Sequence, residues 1–183
     1  MATRATRLLA VSMIGFLLAP ATRSDADEMK RIRTDSTYLR TVVAEAAVRS
    51  PTLRALVRQI EESDVIVHVT CEHLNSAMLE GRTMWVSATP SARYLRVQVE
   101  CMLTRTALVA ILGHELQHVA EIAAAVDVVD RRSFARLFNT IGFSTCGFAE
   151  QYETSGAMRA GERVRQEFVS ARRPVTPRLT AAP

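Results

Sequence analysis

A chain of 183 residues is enough for one domain with its own core, at roughly 100–200 residues per domain, and too short for two large ones. With 48% hydrophobic residues, 23% charged, 7 Gly and 6 Pro, the composition excludes collagen-like, low-complexity and wholly disordered chains. The formal charge of +4 suggests nucleic acid only until its placement is read: residues 1–21 and 171–183 hold five Arg and no acid, leaving 18 basic against 19 acidic residues between them. No nucleic-acid partner is expected.

Arg4 and Arg7 precede an uncharged run from Leu8 to Leu18, and Ala19-Pro20-Ala21 follows it. This three-part pattern predicts a signal peptide over residues 1–21, cleaved near Ala21. The apolar run has 11 residues, about half of the ~20 needed to span a bilayer, so no stable membrane anchor is expected after cleavage. The product is expected to be exported, periplasmic or secreted, with a flexible segment over 22–35, a folded domain over 36–171 and a disordered tail over 172–183. Cys71, Cys101 and Cys146 are an odd set for an oxidising compartment, allowing one disulfide and one remaining thiol. Their spacing does not fix the pairing.

Beyond residue 35 the periodicities define elements in order. Residues 36–50 are rich in Ala, Val and Leu and predict a helix ending at Ser50-Pro51, where Ser50 can cap and Pro51 can open the next. That second helix covers 52–62, with Leu53, Leu56, Val57 and Ile60 on one stripe. Three β-rich runs follow, Val65 to Thr70, Thr83 to Ala88 and Tyr94 to Val99, with Gly81 and Pro90 in the breaks. A long helix is predicted over 104–126 and a shorter one from Asp130 to Ile141, closed by Gly142. The last is predicted over 148–170, with Ala157, Ala160, Val164 and Phe168 on one face. The fold class expected is α+β, with about five helices and a small, mostly antiparallel sheet of three to four strands.

That helix carries Gly113-His114-Glu115-Leu116-Gln117-His118-Val119-Ala120-Glu121. Positions four apart on a helix lie one above the other, so His114 and His118 can direct two imidazoles at one divalent metal. Glu115 is offset by one residue, which sets its carboxylate beside the metal, where it can take a proton from water that the metal acidifies. Four His and 13 Glu in the chain give only about 0.006 chance occurrences of H-E-x-x-H. Two imidazoles and a water leave a tetrahedral zinc one protein ligand short. No His follows His118, so a carboxylate is required: Glu153 first, at the head of the apolar stripe of the last helix, then Glu150. Glu121, three residues past His118, is read as a carboxylate that orients a ligating imidazole, with direct ligation as its alternative. Zinc, one ion, is the cofactor these ligand types suggest.

His114-Glu115-x-x-His118 with a downstream Glu153 resembles the zincin metallopeptidases of the glutamate-ligand type, the gluzincins. The segments LGHELQHVAEIA, from Leu112, and YETSGAMRAGERV, from Tyr152, resemble more closely still short exported bacterial proteins carrying the same HELQH helix. In element order the resemblance covers residues 36–170. It implies a zincin-like fold, with the small sheet packed on the active-site helix, and a zinc-dependent endopeptidase acting on a peptide or protein substrate. It also implies that an edge strand, Thr83 to Ala88 or Tyr94 to Val99, pairs with extended peptide. Larger gluzincins place a downstream His or Tyr to stabilise the oxyanion; here Tyr152, Arg159 or Arg163 would have to serve. The alternative is a non-catalytic exported binding module on the same scaffold.

Other residues receive plainer readings. His68 alternates with Val67 and Val69 and is expected on the opposite side of its strand, and His73 is read similarly. Trp85 is expected in the core. Arg159, Arg163, Arg165 and Arg172 are expected on a solvated face paired with Glu162 and Glu167.

Overall fold

A computed structural model of the chain describes residues 29–74, 79–144 and 152–171. The expected signal peptide, the tail over 172–183, Arg172, Cys146 and Glu150 lie outside these residues. Among the described residues no helix is long and apolar enough to cross a membrane.

The elements are β1 (Ile32–Arg33), α1 (Thr37–Arg49), α2 (Pro51–Glu61), β2 (Val65–Glu72), β3 (Gly81–Thr89), β4 (Ala92–Glu100), α3 (Arg105–Ala124), α4 (Arg131–Ile141), β5 (Phe143–Ser144), β6 (Tyr152–Glu153) and α5 (Ser155–Ser170). The caps explain the helix ends. Ser36, Ser50, Thr104 and Thr154 each accept the N–H three residues on, and Asp130 with Ser133 forms a reciprocal capping box. The fold is α+β, with five helices and a small mixed sheet among the described residues.

The strand order is β1-β2-β4-β3. β3 and β4 form an antiparallel hairpin with an irregularity between Trp85 and Ser87. β4 pairs with β2 in parallel, and so does β1. The expectation of a mostly antiparallel sheet is therefore corrected: two of the three pairings are parallel. The reason lies in the strand patterns. β4 alternates Leu95, Val97 and Val99 on its core face and takes an inner place beside β2, whereas β3, exposed over much of its length, is left at the edge. Ile32 and Arg33 fall in the segment expected to be flexible. They form β1 because the Glu61 carboxylate accepts the N–H groups of Lys30, Arg31 and Ile32 at 3.0–3.2 Å, and Ile32 is buried.

The core joins one face of the sheet to the helices, with Leu39, Leu53, Ile60, Val67, Val97, Leu112, Leu116, Val164 and Phe168 fully buried. α3 runs through its middle and packs most extensively on α5. That approach needs Gly113: a Cβ there would lie 2.8 Å from Val164 Cγ2 and 2.9 Å from its Cβ. At the far end of α3, the buried Arg93 donates to the carbonyls of Ile122 at 2.8 Å, Ala125 at 2.7 Å and Ala123 at 3.2 Å, while Asp64 takes its other edge at 2.6 and 2.9 Å. A cation from β4 thus meets the negative end of the helix dipole. Cys71 and Cys101 form a disulfide between the ends of β2 and β4, with Cα atoms 5.1 Å apart.

Candidate metal centre

α3 is kept helical through the motif by Leu108, Val109, Leu112, Leu116 and Val119, all buried. This fixes the direction of His114 and His118. Their rings lie 5.0 Å apart at 77°. Glu153 comes from another part of the chain. The last helix begins at Ser155 and not at 148 as expected, because Tyr152 and Glu153 pair with Ser144 and Phe143 as extended chain and Thr154 then caps α5. Glu153 is thus delivered by β6, ahead of the helix, and still reaches the histidines.

His114 Nε2 is 3.2 Å from Glu153 Oε2, and His118 Nε2 is 3.6 Å from Glu153 Oε1. One ligand atom from each of the three lies within 4.8 Å of the others, a grouping that can hold a metal ion. Glu121 takes a different place. Its Oε2 is 3.2 Å from His118 Nδ1, on the ring edge away from Glu153, and its Oε1 accepts Thr154 Oγ1 at 2.9 Å and Gln117 Nε2 at 3.3 Å. That contact fixes the imidazole's rotation and favours Nδ1 as its protonated nitrogen, leaving Nε2 as the donor atom.

Glu115 is buried, and Thr83 Oγ1 of β3 donates to its Oε2 at 2.8 Å. Burial raises its pKa above the ordinary carboxyl value, against the pull of His118, His114 and the Thr83 hydrogen bond. Glu153 and Glu121 behave oppositely. Burial pushes each up, yet His114 beside Glu153, and His118 with Thr154 beside Glu121, hold both below it. For His114, burial acts downward and is outweighed by the Glu153 hydrogen bond and the charges of Glu115, Glu153 and Glu121, so its pKa is raised.

Tyr152 is half-buried, its ring stacked 6.1 Å from Phe138, which in turn meets His118 edge-on at 5.3 Å. Phe134 and Trp85 extend this aromatic row, and Trp85 is partly buried against the core. Arg159 and Arg163 are exposed, on the side of α5 opposite the stripe that is buried, and do not join the site. Of the two candidate peptide-pairing runs, Thr83 to Ala88 lies on the edge strand, whereas Tyr94 to Val99 lies between β2 and β3 with both sides paired. His68 stands 3.4 Å from Asp35 and His73 3.2 Å from Glu100, both apart from the centre. Arg165 pairs with Glu162 at 2.7 Å, while Glu167 instead receives Ser50 and Thr52.

Sequence patterns alone did not single out Thr83, Gln117, Phe138 or Thr154. Only Thr154 had a usable signal, as a Thr at a helix start, and placing that start at 148 concealed it. The chain matches no protein-family model, no curated protein and no solved structure.

Proposed function

We propose that the protein is an exported, zinc-dependent peptide hydrolase of the zincin type. The observation that carries this reading is the convergence of His114, His118 and Glu153 on one point with a buried carboxylate, Glu115, next to it in the chain. Tetrahedral zinc with donors 2.0–2.2 Å away keeps those donors roughly 3.3 Å from one another, and the separations of 3.2 and 3.6 Å are of that size.

When bound, zinc supplies Lewis acidity, polarising a carbonyl and acidifying water. Glu115 accepts the proton that water gives up as its oxygen adds to the scissile carbonyl carbon. It then hands that proton to the departing amine nitrogen as the C–N bond breaks. Its raised pKa suits this exchange, because a carboxylate of ordinary acidity is a weaker base toward the water and would hold the proton too weakly between the two steps. Thr83 orients the carboxylate from β3, so the general base and the open strand edge are joined by one hydrogen bond. Extended peptide pairs with β3 along that edge, and Tyr152 is the remaining candidate to hold the oxyanion.

Elemental analysis of the purified protein tests the metal, with one zinc per chain expected. Glu115→Gln should retain that zinc and lose at least about 100-fold in peptide hydrolysis. Zinc retained in a protein that cleaves no peptide, with or without Glu115, would favour the binding module instead.

A further inference from the structure

Thr154 is 2% exposed, and its polar atoms meet three other parts of the site. Its Oγ1 accepts the Ala157 N–H at 3.0 Å, which caps α5, and donates to Glu121 Oε1 at 2.9 Å. Its backbone N–H donates to Glu153 Oε1 at 2.8 Å. The direction of the Glu121 contact is fixed by chemistry: an ionised carboxylate has no proton, so the hydroxyl supplies the only one. Glu121 in turn holds His118 through Nδ1 at 3.2 Å. Gly156 keeps this contact open, since a Cβ there would lie 2.5 Å from Glu121 Oε1.

We propose that Thr154 is a positioning residue of the metal centre. Its hydroxyl locks Glu121, and with it the His118 ring, to the same stretch of backbone that carries Glu153. The three donors are then set as one unit, although they come from two elements more than 30 residues apart in the chain. The inference rests on the zinc reading above and concerns affinity for the ion, independent of turnover.

The test is the zinc dissociation constant of the purified protein and its variants, measured by competition with a chromophoric chelator. Thr154→Ser keeps the hydroxyl and should stay within about threefold of wild type, whereas Thr154→Val, similar in shape, should bind 10–100-fold more weakly, the size typical of losing an outer partner of a ligand. Thr154→Asp retains a good helix cap but offers Glu121 no proton. It should show the same loss, even though an added negative charge near a cation would by itself tighten binding. In a Glu121→Ala background the Val substitution should cost less than about threefold, because the partner it acts through is gone. Wild-type affinity in Thr154→Asp, or an undiminished Val effect without Glu121, would overturn the inference and leave the zinc reading standing. A wild-type protein that takes up no zinc removes both.

Discussion

Thr83 Oγ1 donates to Glu115 Oε2 at 2.8 Å, joining the edge strand to the one carboxylate of the site that is almost fully buried. The bond favours the ionised form and so opposes the upward push of burial on the Glu115 pKa. Thr83→Val removes that opposition. The acidic limb of the kcat/KM profile should move to higher pH, with a fall of up to about tenfold near neutrality and near recovery in alkali, since each pKa unit corresponds to a factor of ten. A uniform loss at every pH would instead mean that Thr83 only shapes the strand.

Protons and metal compete for His114. Its pKa is raised above the ordinary imidazole value of 6.5, so zinc affinity should begin to fall on acidification while the pH is still above that value. The metal-free protein should show the opposite trend. A raised imidazole contributes stability below 6.5 that is lost as pH rises through the folded value, and the raised Glu115 carboxyl also penalises ionisation. Glu153 and Glu121, held low, contribute stability above the ordinary carboxyl value that is lost only on stronger acidification. As pH rises from 6.5 through the raised folded value of His114, thermal unfolding of the chelator-treated protein should shift to lower temperature, while that of the zinc-loaded protein should not. Parallel curves would contradict this.

Some of this architecture was legible in the residues and some was not. His114, Glu115 and His118 could be placed because their helix is specified locally, by apolar residues that repeat with its period and a threonine cap. Glu153 could be named but not correctly seated: β5 and β6 are strands of two residues each, too short to show an alternation, and the residues around 152 carry no period of their own. The sheet order is hidden for a similar reason. Which strands sit inside the sheet depends on burial summed over both faces, and the break at Pro90 says only where one strand ends and the next begins. Arg93 gave no warning at all, because an arginine in a strand looks the same from the chain whether it faces water or the end of a helix.

Gly113 sits where α3 touches α5. In Gly113→Ala, the better helix propensity of Ala, worth about 1 kcal/mol, is set against a methyl 2.8–2.9 Å from Val164, and overpacking of this kind costs about 1–3 kcal/mol. The net stability change should be small or unfavourable. Zinc affinity should respond more sharply, by tenfold or so, because moving α5 carries Glu153 away from His114. A variant with unaltered zinc binding would show that the helices yield without disturbing the site.

Arg93 is 3% exposed, whereas the side chain of Asp64 is 48% exposed. The two ends of this ion pair should therefore differ in weight. Arg93→Ala uncovers three carbonyls at the end of α3 and should cost about 3 kcal/mol or more in urea unfolding, while Asp64→Ala should cost about 1 kcal/mol or less. Equal losses would mean that the pair, and not the helix end, is what Arg93 serves.

Cys71 and Cys101 are 30 residues apart in the chain and bonded to each other. Closing a loop of that length lowers the entropy of the unfolded chain by an amount worth about 3.5 kcal/mol at 25 °C. The Cys71→Ala, Cys101→Ala double variant should lose stability of that order. Reductant should lower the urea midpoint of the wild type to that of the variant and leave the variant where it is. If reductant shifts both equally, the effect does not come through this disulfide.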